Sequence, residues 1–135
     1  MTNIQNKLKF HEWSKERELQ FRQMDMIESI IVGMSTIIYA KSKHINDGVI
    51  SLFEREFPEL IFDVTVDNIN FTTFDELMHS VLNNNKLNSE DILYSFILQK
   101  LCINISIEIL KTANTHLSRQ YLKEINENNA EMNND

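Results

Sequence analysis

The sequence predicts a mainly helical fold: a bundle of four to five helices, two of them long, with a small β-hairpin near residues 62–71. Three observations carry this. Two apolar stretches, Met24 to Ala40 and Ile92 to Leu110, contain no helix breaker except Gly33. In the first, Met24, Ile27, Ile31, Met34 and Ile38 recur three and four residues apart, the spacing of one helix face. The 135 residues include only two Gly and one Pro, too few for the many turns of an all-β fold.

Taken in order, Thr2 and Gln5 have the spacing of a capping box, so a helix opens the chain with Ile4 and Leu8 on one face. Residues 1–13 stand either as a separate short helix or as the start of a longer one. From Ser14 to Lys43 only Gly33 disfavours helix, by roughly 1 kcal/mol relative to Ala. Ser29 and Gly33 lie one turn apart and form a flat spot that a second helix can approach closely. Asn46-Asp47-Gly48 reads as a turn, with Asp47 capping a shorter helix that carries Ile50, Phe53 and Phe57. Pro58 stops that helix by restricting Phe57.

Beyond Pro58 the period changes to two. Phe62, Val64 and Val66 alternate with Asp63 and Thr65, Asp67-Asn68 follows as a turn, and Ile69 and Phe71 flank Asn70, which predicts the hairpin. Thr73 and Glu76 form a second capping box, opening a helix with Phe74, Leu77, Met78, Val81 and Leu82, and Asn83 to Asn85 end it. Asn88 or Ser89 caps the last element, with Glu90 and Asp91 in its first turn, where carboxylates complement the helix dipole. Ile103, Ile105, Ile107 and Ile109 alternate as in a strand, but helical spacing resumes at Leu110, Ala113, Leu117 and Tyr121. Helix is therefore preferred for 102–109. Uninterrupted helices over 14–43 and 90–125 would be roughly 45 to 55 Å long, more than one compact domain needs. Residues 1–125 are read as one helical domain and the polar, acidic 126–135 as a disordered tail.

Functional signals are sparse. Net charge is −7, divided into +2 over residues 1–23 and −9 over the rest, a basic end on an acidic body. Cys102 is the only cysteine, so no intramolecular disulfide forms, and no basic segment followed by an apolar run resembles a secretory signal. A cytoplasmic protein is expected. Gln99, Lys100, Asn104 and Glu108 interrupt the second apolar stretch, and Asp25 and Glu28 the first, which argues against membrane spans. The two glycines supply no phosphate-binding loop, and no nucleophile elbow or Cys/His pair is present, so no catalytic residue or cofactor is expected. Glu76 and His79 make one Glu-x-x-His step, but a di-iron bundle needs two, and Asp75 with His79 is an ordinary surface pair; no metal is expected.

The N-terminal segment is the candidate site. If residues 3–22 were helical, Lys7, His11, Lys15 and Arg22 would share one side, with Phe10, Trp13 and Phe21 adding aromatic surface. The residues expected to bind a partner are Lys7, His11, Trp13, Lys15, Arg17, Phe21 and Arg22. The function expected is a non-enzymatic protein-binding factor: an adaptor, an assembly chaperone or an inhibitor of a larger machine. Heavy use of Asn and Ile, whose codons are AT-rich, associates it with phage or mobile-element genomes. The excess helix length and the methionines at 24, 26 and 34 add a homodimer as a further expectation. The alternative is a nucleic-acid-binding regulator using the basic helix, which the acidic body disfavours.

Overall fold

A computed structural model describes residues 5–83 and 87–133, the last five as backbone only. Seven α-helices follow one another among these residues: α1 Phe10–Glu16, α2 Phe21–Ala40, α3 Lys43–Glu56, α4 Phe71–Leu82, α5 Ser89–Leu98, α6 Ile103–Ala113 and α7 His116–Asn133. The mainly helical class holds. The helix count, the two long helices and the hairpin do not. The Thr2 half of the first capping box, Asn84 and Asn85, and the last two residues of the tail lie outside the described residues. The α7 backbone runs to Asn133.

Both long helices are cut by the same device. At the end of α1, Glu18 takes a left-handed φ of 55°, and the Leu19 N–H donates to the Ser14 carbonyl at 3.1 Å. At the end of α5, Lys100 takes φ 63°, and the Leu101 N–H donates to the Phe96 carbonyl at 3.0 Å. Each is a Schellman closure in which a charged residue stands where glycine is usual. A left-handed non-glycine residue costs on the order of 1–2 kcal/mol. Burying Phe10, Trp13 and Phe96 on the two sides of these corners outweighs that, since each aromatic contributes about 1.5–3 kcal/mol. Lys41 and Asn114, also left-handed, separate α2 from α3 and α6 from α7.

The expected turn at Asn46-Asp47-Gly48 lies inside α3. Ser42 caps that helix instead, its Oγ accepting the Ile45 N–H at 3.4 Å. Asn46 Nδ2 donates to the Val64 carbonyl at 2.8 Å, so the residue that resembled a turn former ties down the next loop. The helix stops before Pro58 as expected. Asn70, not Thr73, caps α4: its Oδ1 accepts the Thr73 N–H at 3.0 Å.

The alternation at 62–66 belongs to an irregular segment laid across helices, with no partner strand among the described residues. Phe62 and Val64 point into the core while Ile61, Asp63 and Thr65 stay exposed. Phe62 stacks on Phe53 with ring centroids 3.8 Å apart. Val66–Asn68 then forms a single 3₁₀ turn, closed by the Thr65 N–H donating to Asn68 Oδ1 at 2.8 Å. The period of two was real; it reported one buried edge of a single strand-like segment, which periodicity cannot tell from a paired one.

The alternating isoleucines form α6. Ile105 and Ile109, one turn apart, are buried, whereas Ile103 is exposed. α6 packs on α2, α4, α5 and α7, and α2 pairs with α3 and α4. Buried side chains from α1 through α7 join one hydrophobic cluster. The small Ser29/Gly33 spot does what its spacing suggested: a Cβ on Gly33 would lie 3.1 Å from Phe53 and 3.3 Å from Val49, so α3 crosses α2 there in close contact.

Candidate protein-docking surface

Because the chain turns at residues 17–20, the seven expected partner-binding residues do not share one helix face. Lys7 precedes α1, and its Nζ meets Glu124 Oε1 of α7 at 3.2 Å. Trp13 is fully buried and stacks beside Phe10, which in turn stacks on Phe96 at 4.3 Å. What solvent meets above it is Arg17, whose guanidinium lies 4.4 Å from the Trp13 ring centre and whose Nη1 donates to the Trp13 carbonyl at 3.3 Å. Lys15 is exposed on α1. Arg22 grips the Glu59 carboxylate through Nε and Nη2, donates from Nη2 to the Glu56 carbonyl at 3.0 Å, and lies 5.1 Å over the Phe57 ring. The bidentate Arg22 contact holds the Glu59 carboxyl at about 2, well below the usual carboxylate range.

His11, Phe21 and Arg22 do come together. With Met24, Asp25 and Glu28 they line an open cleft of about 500 Å³ between α1 and the start of α2. Within it His11 Nε2 stands 3.8 Å from Glu28 Oε1, and the His11 backbone N–H donates to Gln99 Oε1 at 2.9 Å. Phe21 opens α2 on the rim of this cleft and is 88% exposed.

The same helix carries a surface that the search for basic residues missed. Phe21, Asp25, Glu28, Val32, Thr36 and Tyr39 follow one another at steps of three and four, so they form a single outward row. Val32 and Tyr39 are about half exposed. Between this row and α3 runs a second groove, floored by Gly33 and walled by Ser29, Thr36, Val49, Leu52 and Phe53. The signal was present in the sequence: it is the outward complement of the apolar stripe that predicted the helix.

A third arrangement secures the N-terminal segment. Tyr121 of α7 and Tyr94 of α5 stack at 4.2 Å. The Tyr121 hydroxyl donates to Asp91 Oδ1 at 2.5 Å and accepts the Asn6 N–H at 2.7 Å. Tyr94 donates to Glu124 Oε2 at 3.0 Å, the carboxylate that also holds Lys7. Burial raises the Asp91 carboxyl pKa, opposed by the Tyr121 hydroxyl and the Arg17 charge. Burial and the neighbouring carboxylates push both phenols up, Tyr94 to about 12. These groups bind one another, tying α7, α5 and the segment before α1 together.

Asp75 pairs with His79 at 3.4 Å and accepts from Ser89 Oγ at 2.6 Å, the surface pairing that its spacing suggested. Cys102 is half-buried at the start of α6, and burial pushes its thiol pKa up, away from nucleophilic chemistry. Among the described residues no helix is long and apolar enough to cross a membrane. No family model matches the chain, and comparison with curated proteins and solved structures returned no significant match.

Proposed function

We propose that this chain is a non-enzymatic protein-binding factor that engages a partner protein through Phe21 and the cleft beside it. The observation that carries the reading is the placement of Phe21, an aromatic ring 88% exposed at the start of a helix whose other face is core. Moving such a ring from water into a partner's pocket yields about 1.5–3 kcal/mol. Aromatic anchors of this kind dominate the energetics of protein interfaces. Asp25 and Glu28 stand one and two turns further along the same row, so the matching surface is an apolar pocket with a basic rim.

The nucleic-acid alternative receives less support. Lys7 and Arg22 are each paired with a carboxylate, and the helix that would have aligned the basic residues is broken at Glu18. Capture of binding proteins from native cells, run side by side with the wild type and Phe21→Ala, tests the reading. The expected result is one or more proteins held by the wild type and weakened at least about tenfold by Phe21→Ala, with the variant's melting temperature unchanged. An identical set of proteins, retained equally by both, would sink it.

A further inference from the structure

We propose that the pocket at the α2–α3 corner binds a small organic anion, a carboxylate carried on a short apolar body. The pocket encloses about 290 Å³ between Lys41, the start of α3 and the loop at Thr65 and Val66. Its far wall is tied in place: Asn46 Nδ2 of α3 donates to the Val64 carbonyl at 2.8 Å and so anchors the loop that brings Thr65 and Val66 across. The site lies at the opposite end of α2 from Phe21 and does not rest on the docking proposed there.

Two features fix the chemistry of the occupant. The first is that the polar rim has donors to spare. Ser42 Oγ accepts the Ile45 N–H at 3.4 Å and Thr65 Oγ1 accepts the Asp67 N–H at 3.3 Å. Neither hydroxyl donates to any described residue, so both O–H protons are uncommitted. Lys41 and Lys43 add two ammonium groups, and among the described residues no carboxylate pairs with either. Asp47 brings a carboxylate to the same rim, and two cations against it leave the mouth positive. Such a set of donors around one opening calls for a charged acceptor.

The second is the apolar part of the lining. Ile37 is buried, Ile50 is half-buried and Val66 is 44% exposed, and all three face the pocket. A bare inorganic anion would leave this surface in water, whereas an alkyl group covers it. Apolar walls with a few placed polar groups are the usual make-up of a small-molecule site. At roughly 30 Å³ per water, 290 Å³ equals about ten waters, which is room for a carboxylate on a chain of about five to seven carbons. The same chemistry has two sources: a free short-chain acid, or the C-terminal carboxylate of a peptide whose last residue is apolar.

Amide NMR titration of the purified full chain with hexanoate, at constant ionic strength, tests the site. Signals of residues 41–46 and 65–66 should shift and saturate with a roughly millimolar dissociation constant. Each methylene added from acetate to hexanoate should tighten binding about threefold to fourfold. Hexanol, which lacks the charge, should bind at least about tenfold more weakly than hexanoate. Lys41→Gln/Lys43→Gln should weaken hexanoate about tenfold or more, whereas Lys9→Gln/Lys123→Gln, which removes the same charge elsewhere, should leave it unchanged. Asp47→Asn should tighten binding and Val66→Asp should weaken it. Acetyl-Gly-Ser-Gly-Leu with a free carboxylate separates the two sources: shifts at the same residues show that a chain end enters the pocket, and shifts from hexanoate alone assign it to a free acid. Either result upholds the anion site. No shift from either acid at about 20 mM overturns it. So does hexanol, or the C-terminal amide of the peptide, binding as tightly as the acid. So does a lysine variant that keeps full affinity while circular dichroism shows it folded.

Discussion

The Tyr121 hydroxyl links Asp91 to the backbone of Asn6, donating to the carboxylate at 2.5 Å and accepting the amide at 2.7 Å. One oxygen thereby joins α7, α5 and the segment before α1. Asn6 Oδ1 in turn accepts the Leu8 N–H at 3.0 Å, so the entry into α1 is held from both sides.

Tyr121→Phe keeps the ring stack on Tyr94 and removes both hydrogen bonds. It leaves the buried Asp91 carboxylate and the Asn6 N–H short of a partner, which should cost about 1–3 kcal/mol by urea unfolding. The pH dependence has a definite sign. Burial raises the Asp91 pKa above its ordinary 3.8, so the folded state holds the proton more tightly and stability falls as pH rises through the folded value. Loss of the Tyr121 donor raises that pKa further. The deficit of the variant should therefore be larger near neutrality than in acid.

Tyr94 sets an alkaline limit. Its pKa is raised from 10.0 to about 12, because its hydroxyl is buried and donates to Glu124. Below about 10 its contribution is complete, and it is lost as pH climbs through about 12, where the phenol ionises against a carboxylate. Tyr94→Phe should flatten this part of the stability curve, measured by thermal melting across the alkaline range. An unchanged slope would remove Tyr94 from the account.

The Arg22–Glu59 pair governs the acid side. Glu59 is lowered from 4.5 to about 2, so the pair stabilises above about 4.5 and its contribution is lost as pH falls towards 2. Glu59→Gln should make the acid unfolding limb shallower in that window and leave the alkaline limb unchanged. Both groups are exposed, so added salt should shrink the difference between wild type and variant.

The two glycines should respond differently to alanine. Gly48 sits in the middle of α3 with nothing within 4 Å of its Cβ position, so Gly48→Ala should stabilise by about 0.5–1 kcal/mol. At Gly33 the new methyl meets Phe53 at 3.1 Å, and Phe53 is buried and stacked on Phe62. Gly33→Ala should lose the propensity gain to this contact, and Gly33→Leu should destabilise by about 1–3 kcal/mol through overpacking. Urea midpoints of the three variants decide the matter.

How much of this was legible varies with the physics involved. Ile27, Ile31 and Met34 were readable as core because burial and helical period act on the same residues. The close approach at Gly33 was readable from its pairing with Ser29. The corner at Glu18 was not: a charged residue with a left-handed backbone has no compositional mark, and its only local hint is the leucine that follows. Asn46-Asp47-Gly48 pointed the wrong way because Asn46 found its partner in the Val64 carbonyl, 18 residues on.

The candidate site divides in the same manner. Phe21 and Arg22 were named from the sequence, yet their roles separated when Arg22 closed on Glu59 and Phe21 remained in water. Trp13 went inside.

By itself the sequence determined that this chain builds a helical core, which faces of α2 and α4 enter it, and that α3 stops before Pro58. Only the tertiary structure decided where the long helices bend, which cations stay free and which aromatic ring remains exposed. The reason is range. Period and propensity act over one or two turns of helix, whereas the 1–2 kcal/mol cost of each left-handed corner is offset by contacts between side chains far apart in the chain.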